Sequence, residues 1–294
     1  GRDVAATARP GEVIDTSLQA AEAYRSRVAE SVRSGIPIKS FNYKRQKADQ
    51  REGVVRPDED YQETYYLAAE SSDAAEDGRK WDLLREDLLR RHANPSLVLP
   101  GTKSYAGGSG AYTRIQKPES VAIAHVVGDS NAPSDIEFQG FLLRKRAEFL
   151  DALSPALRAK TALMDPDKYH MTFISLAFVH NDPDLRKRAL ALVRPFVDDL
   201  PAGLKEGMEV RVVGVDMFSP GVIKFTLQWD ERYGERFFTA LEDELRKDPV
   251  VWAAYEKNAT GRPETVFHIT LGQVMERLQE SEVNELVDAM QKVS

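Results

Sequence analysis

The sequence predicts a protein of the α/β or α+β class whose main domain begins near residue 116. From that point onward, short apolar runs typical of strands alternate with longer amphipathic runs typical of helices. Two consecutive apolar runs are separated only by Ser219, Pro220 and Gly221, a link too short to join parallel strands. At least one strand pair is therefore expected to be antiparallel.

The predicted elements follow a regular order after residue 116. No Gly-x-Gly-x-x-Gly pattern follows the first predicted strand, so a dinucleotide-binding fold has no support. Strands are expected at 119–127, 168–179, 208–218, 221–230 and 265–274, and helices at 135–158, 183–200, 231–248 and 276–293.

The N-terminal part of the chain has a different character. Residues 16–34 have helical spacing, and residues 60–92 indicate a helix, a break and a second helix with an apolar stripe. The intervening residues are charged and irregular. We therefore expect a mainly helical and irregular extension over residues 1–115 and a catalytic or binding domain over residues 116–294.

Composition narrows the classes of function. The net charge of −7 argues against a protein that grips a long nucleic acid, and favours a short or small ligand. The absence of cysteine excludes disulfides, thiolate metal sites and a cysteine nucleophile. No apolar stretch approaches the roughly 18 residues that a membrane span needs. We expect a soluble protein, cytoplasmic or nuclear by default, although the sequence does not set the compartment.

One short pattern occurs twice, each time inside a predicted strand. Residues 169–179 contain His170 and Thr172, and residues 266–274 contain His268 and Thr270, both as His-x-Thr. Side chains two positions apart on a strand share a face, so each pattern presents one imidazole beside one hydroxyl.

That set of groups suits hydrolysis of a phosphoester without a metal or cofactor. One neutral imidazole can accept a proton from water, while a protonated imidazole gives one to the leaving oxygen. Two hydroxyls can donate to the non-bridging phosphate oxygens, where negative charge develops in the transition state.

The paired motifs "HMTF" and "HITL" resemble those of the 2H phosphoesterase superfamily, which has two His-x-Thr or His-x-Ser motifs. The segment "VRVVGVDMFSPGVIKFTLQW" between them is similar to that family's strand–turn–strand element. The resemblance covers roughly residues 116–275. It implies a bilobal α+β fold in which two antiparallel sheets with flanking helices surround a central cleft.

The resemblance also implies an activity. It predicts a phosphodiesterase acting on a cyclic nucleotide phosphate, on the 2′,3′-cyclic phosphate of an RNA 3′ end, or on a related 2′,5′ or 3′,5′ linkage. If the roles of that family's motif residues apply to this chain, the catalytic residues are His170, Thr172, His268 and Thr270. We assign water activation to His268 and leaving-group protonation to His170, although a pseudo-symmetric site allows the reverse.

Further residues near the motifs are candidates for substrate binding. Tyr169 and Phe267 precede the histidines, but strand alternation favours core packing for both. Alternation likewise directs Gln273 away from His268. An aromatic side chain could stack a base, and Trp252 and Tyr255 are further candidates for that role. The substrate-binding candidates are therefore Tyr169, Phe218, Lys224, Phe267 and Gln273.

Two other interpretations remain open. A nucleotide- or RNA-binding module could use the same cleft without turnover, and the extension could dock a protein partner. Its basic stretch 43–47 could touch RNA, although a solvated loop is favoured. Alternatively, a metal site could form around the first motif, but it would leave the second motif unexplained. Its candidate ligands are Asp165, Asp167, His170, His180, Asp182 and Asp184.

Overall fold

The structure is a computed structural model, and it shows an α+β protein. It describes residues 38–41, 62–65, 74–94, 122–130, 132–176, 182–205, 207–218, 221–258 and 267–294, together with residues 26, 30, 50, 53, 56 and 179.

The described strands form one antiparallel sheet. Its order is β1-β2-β6-β7-β8-β5-β3, and β4 pairs with β8 beside β5. Six of these strands belong to the main domain, and the first two extend one edge through Tyr65, which pairs with Phe218. The strands are β1 (Ile38–Phe41), β2 (Gln62–Tyr65), β3 (Ala122–Val126), β4 (Thr161–Leu163), β5 (His170–Ser175), β6 (Val210–Phe218), β7 (Val222–Trp229) and β8 (His268–Val274).

Eight α-helices lie within the described residues, and none of them is long and apolar enough to cross a membrane. They are α1 (Ala74–Ala93), α2 (Pro133–Ala152), α3 (Pro155–Ala159), α4 (Pro183–Asp198), α5 (Ala202–Lys205), α6 (Glu231–Arg246), α7 (Pro249–Asn258) and α8 (Glu280–Val293).

The sheet departs from the expected two sheets. The antiparallel pair around the Ser-Pro-Gly link is confirmed as β6 and β7. However, β5 and β8, which carry one His-x-Thr motif each, pair directly with each other. This contact, the seam between the two motif strands, joins β3 and β5 to β6, β7 and β8 in one continuous sheet.

One face of the sheet forms the centre of the core. Val215, Phe225, Ile269 and Met171 lie opposite one another on four successive strands, and all are buried. Alternation therefore turns the residues before and after them to the opposite face, which carries the motif side chains. Helices α4 and α6 add Phe196 and Phe237 to the same core. The apolar face fixes which side chains the motif strands can present.

The N-terminal region contributes to this core and does not stand apart from it. Trp81, Leu84 and Leu88 of α1 are buried, which confirms the predicted apolar stripe. Helix α1 packs against α8, and Arg85 donates to the side-chain oxygen of Asn284 at 2.9 Å. At least residues 74–94 of the extension are therefore built into the main domain.

Parts of the extension differ from the helical expectation or lie outside the description. Residues 62–65 form a strand where the first helix of 60–92 was expected, because this Thr- and Tyr-containing segment pairs with β1. Strand β1 lies within the segment expected to be irregular. Apart from residues 26 and 30, the predicted helix over 16–34 lies outside the described residues, as does the basic stretch 43–47.

Candidate active site

The two motif strands are neighbours, and their register places both motifs on one face. Met171 of β5 lies opposite Ile269 of β8. In an antiparallel pair, one step in each direction from these residues places His170 across from Thr270 and Thr172 across from His268. All four motif side chains are half-buried, whereas Met171 and Ile269 are buried on the opposite face. The sequence prediction that each histidine shares a face with its threonine agrees with this arrangement.

The imidazole of His170 has a fixed tautomer in its neutral form. Its Nδ1 lies 2.9 Å from the carbonyl oxygen of Lys168, and a carbonyl oxygen can only accept. Nδ1 therefore carries the proton, and Nε2 is left as the nitrogen that exchanges a proton with a ligand. The short helical turn Pro166–Lys168 positions that carbonyl, and Asp165 caps the turn by accepting from the backbone N–H of Asp167.

The second motif histidine is positioned by an aromatic ring. Phe218 meets the ring of His268 edge to face, with 4.7 Å between the ring centroids. The ammonium of Lys224 lies 4.9 Å from the centroid of the same Phe218 ring. Two of the substrate-binding candidates, Phe218 and Lys224, are thus brought to His268.

The strand beside the second motif adds polar groups to the same face. On β7, Lys224 lies opposite Thr270 and Thr226 lies opposite His268. On β6, Asp216 lies opposite Lys224. A row of polar residues therefore crosses four strands on the motif face: Asp216, Lys224, Thr270 and His170. Each is adjacent in sequence to one of the buried apolar residues Val215, Phe225, Ile269 and Met171 on the opposite face. Sequence reasoning missed Asp216 and Thr226. A carboxylate inside an apolar strand run was the available signal for Asp216.

These added groups are buried more deeply than the motif residues. Lys224 and Thr226 are fully buried, and the Lys224 ammonium donates to Thr226 Oγ1 at 2.5 Å. Burial lowers the pKa of Lys224 to about 8. The nearby Asp216 carboxylate raises this pKa and Lys80 of α1 lowers it further. At neutral pH the Lys224 side chain is therefore still mostly an ammonium ion.

A β-bulge changes the orientation expected for Gln273. Lys224 pairs with Thr270, but the preceding Ile223 pairs with Gly272, so β8 carries an extra residue at Leu271. Beyond the bulge Gln273 lies opposite Val222, which shares the face of Lys224. The expectation that simple alternation turns Gln273 away from His268 is therefore wrong.

The amide of Gln273 is buried, and no described residue forms a hydrogen bond with its nitrogen or its oxygen. Its two cross-strand neighbours, Val222 and Ala162, have no polar side-chain atom to offer. Such a group is costly to bury, which makes Gln273 an unusual residue to find on this face.

Two other candidates are not brought to the motif face. Tyr169 and Phe267 are fully buried on the opposite face, as alternation predicts. Tyr169 meets Phe225 edge to face at 6.0 Å, and Phe267 meets Phe173 at 5.3 Å. Burial raises the pKa of Tyr169 to about 12, with the Arg146 cation acting in the opposite direction. Both rings pack within the core.

The aspartates near the first motif cap local structure. Asp182 is the N-cap of α4 and accepts from the backbone N–H of Leu185, while Asp165 caps the turn before β5. Among the described residues, no three His, Asp or Glu side chains come together as metal ligands. His180, a member of the alternative ligand set, lies outside the described residues.

The two described histidines outside the motifs, His125 and His92, have local partners. His125 Nε2 lies 3.0 Å from Asp135 Oδ1, and the backbone N–H of Gly128 also donates to Asp135. His92 is buried and its Nδ1 accepts from the backbone N–H of Leu278. Neither histidine belongs to the polar row on the motif face.

The remaining aromatic candidates, Trp252 and Tyr255, pack together on α7 with ring centroids 5.4 Å apart. The hydroxyl of Tyr255 donates to Glu242, so this pair is part of the helical layer. Arg277 donates to the backbone oxygens of Arg91 and His92, which end helix α1.

Comparisons with known proteins add little to this geometry. No family model matches the chain, and no curated protein matches it. Among solved structures, the chain is similar to a conserved protein of unknown function from Agrobacterium tumefaciens str. C58. The identity is 15%, the match covers 59% of this chain and 73% of the other, and the TM-score is 0.33. A likeness this distant carries no functional argument.

Proposed function

We propose that the chain is a metal-independent phosphodiesterase that acts on a cyclic nucleotide phosphate or on the 2′,3′-cyclic phosphate of an RNA 3′ end. One observation carries the proposal. The Met171–Ile269 pair brings both His-x-Thr motifs to one face of adjacent strands, with all four polar side chains half-buried. General acid–base catalysis requires two such proton-transfer groups near one phosphate.

In the proposed reaction, each of the four motif side chains has one role. His268 takes a proton from a water molecule, and the water oxygen attacks phosphorus. The phosphorus–oxygen bond to the 2′ or 3′ oxygen breaks, and His170 Nε2 gives its proton to that leaving oxygen. Thr172 and Thr270 donate to the non-bridging oxygens as charge develops. The next turnover requires the proton to return from His268 to His170 through solvent.

The resemblance to the 2H phosphoesterases belongs to this proposal as well. Residues 122–205 contribute β5 and residues 207–294 contribute β8, so each half of the domain supplies one motif. The diagonal placement of histidines and threonines across the seam is approximately two-fold symmetric. Such symmetry supports a bilobal origin, although the described strands form a single sheet.

The test is hydrolysis of 2′,3′-cyclic nucleotides in excess EDTA by the wild type and by His170→Ala and His268→Ala. We expect chelator-resistant turnover that falls by at least about 100-fold in each variant. His125→Gln is the matched control: His125 is a partly exposed histidine outside the motifs, and we expect its replacement to leave turnover intact.

Three outcomes would contradict the proposal. Full activity in either motif variant would exclude a two-histidine mechanism, and loss of activity with EDTA would favour metal chemistry. If the wild type binds nucleotides but turns over neither cyclic phosphates nor 2′,5′ or 3′,5′ oligonucleotides, the chain is a binding module instead.

A further inference from the structure

A buried cluster of charges lies directly beside the candidate site. Lys80 Nζ of α1 is 3.1 Å from Asp216 Oδ2, and Lys224 Nζ is 3.9 Å from the same oxygen. All three side chains are at most 1% exposed. Removing charges from water is costly, so a buried arrangement of this kind is weak evidence for stability alone.

Two members of the cluster, Asp216 and Lys224, belong to the row of polar residues that crosses the motif face. Asp216, Lys224 and Thr270 lie opposite one another on β6, β7 and β8. Side chains directly opposite on neighbouring strands are close, with Cβ atoms about 5 Å apart. The Lys224 side chain therefore starts next to the hydroxyl that the proposed mechanism places on the phosphate.

Two contact paths lead from the Lys224 ammonium toward His268. The first passes through Thr226, which accepts from Lys224 and lies opposite His268 on the neighbouring strand. The second passes through the Phe218 ring, which has the ammonium 4.9 Å from its centroid and His268 against its edge. Neither path requires Lys224 to touch the substrate.

The charges around Lys224 come from three elements. Asp216 of β6 raises its pKa, Lys80 of α1 lowers it, and His268 of β8 lies on the same face. Burial is the largest influence, and it lowers the pKa. Lys224 is thus charged at neutral pH and becomes neutral in mildly alkaline solution, and a residue of α1 influences where that change occurs.

We propose that Lys224 is a positioning residue of the candidate site: its buried ammonium, held by Asp216 and Thr226, orients Phe218 and His268 and places positive charge beside the phosphate subsite, with Lys80 modulating that charge. This inference rests on the proposed phosphodiesterase function for its catalytic readout. It also assigns a role to α1, a helix that lies outside the motif-bearing part of the chain.

The first test compares wild type and Lys224→Met for kcat/KM on a 2′,3′-cyclic nucleotide between pH 6.5 and 9.5. Methionine preserves most of the volume, and Asp216 keeps Lys80 as its partner at 3.1 Å. We expect about a tenfold loss at pH 7 that shrinks as pH rises through about 8, because the wild-type lysine then loses its charge. Lys205→Met, an exposed lysine paired with Asp199, is the matched control.

Three further variants test the assigned partners and the charge of Lys224 itself. Lys80→Met removes a neighbouring cation, which raises the pKa of Lys224. In this variant, the pH at which Lys224 no longer benefits kcat/KM therefore moves upward. Asp216→Asn removes the carboxylate and moves that pH downward. Lys224→Arg restores activity without the alkaline change, because a guanidinium remains charged. A loss that is the same at every pH, or shifts in the reverse of these two directions, would reduce Lys224 to a structural residue.

A binding measurement separates this inference from the proposed function. Inorganic phosphate is titrated into wild type and Lys224→Met by calorimetry at pH 7 and pH 9.5. We expect about fivefold weaker binding in the variant at pH 7 and little difference at pH 9.5. If the wild type hydrolyses no phosphodiester but shows this pattern, the phosphodiesterase proposal fails and the role of Lys224 stands. Equal phosphate affinity in both proteins at both pH values would overturn that role.

Discussion

Met171 lies opposite Ile269 at the seam between β5 and β8, and both side chains are buried on the face away from the motif histidines. The pair therefore anchors the two motifs to a common core. Any change that loosens this seam alters the relative positions of His170 and His268, although neither histidine is mutated.

Replacing Ile269 by alanine is expected to destabilise the protein and to reduce activity. Ile269 is fully buried, so the substitution removes apolar contacts and leaves a cavity that costs about 2–5 kcal/mol. Chemical denaturation measures the free energy of unfolding. Ile136→Ala is the matched control, because Ile136 is 55% exposed and its loss changes stability little. Similar effects of the two substitutions would show that the seam is not packed as described.

Replacing Gln273 by methionine is expected to raise stability. The buried amide has no hydrogen-bond partner within the described part of the chain, so an apolar side chain of similar length removes a penalty of about 1–2 kcal/mol. Thermal and chemical unfolding measure the gain. Gln228→Met, at an exposed position on β7, serves as the control. A clear loss of stability in Gln273→Met would mean that the amide has a partner.

His92 is expected to make the protein sensitive to acid. Burial, reinforced by the Arg277 cation, lowers its pKa from 6.5 to about 4, while Glu282 has the opposite influence. A folded-state pKa below the unfolded value means that protonation favours unfolding. The contribution of neutral His92 to the free energy of unfolding is complete above pH 6.5, and about 3 kcal/mol of it is lost as the pH falls to 4.

The measurement for His92 is unfolding free energy against pH for wild type and His92→Asn. Asparagine can still accept from the backbone N–H of Leu278 but does not titrate. The variant should therefore lose less stability than the wild type between pH 7 and 4. Parallel pH curves for the two proteins would contradict the assignment.

Arg277 is expected to hold the end of α1 against the domain. Its guanidinium donates to the carbonyl oxygens of Arg91 at 3.0 Å and His92 at 3.2 Å. Arg277→Met leaves those terminal carbonyls without this donor and should cost about 1–2 kcal/mol. Hydrogen exchange should accelerate in residues 84–93 and not in α4. The exposed Arg194→Met is the control, and unchanged exchange in α1 would refute the capping role.

Much of the fold follows from local patterns in the sequence. The predicted strand at 208–218 and the helix at 183–200 match β6 and α4 to within two residues, because apolar periodicity and helix-start signals such as Asp182-Pro183 are local. Alternation also placed Tyr169 and Phe267 in the core. The short elements β4, α5 and α7 were not anticipated, since three to ten residues carry too little periodicity.

The sequence by itself determined the two His-x-Thr motifs, the strands that carry them and the face that each histidine shares with its threonine. Only the tertiary structure decided that β5 and β8 are adjacent, that a bulge turns Gln273 to the motif face, and that α1 brings Lys80 to Asp216. The physical reason is the distance along the chain over which each interaction acts. Alternation and propensity act over a few residues, whereas strand register and helix docking depend on packing between segments far apart in the chain.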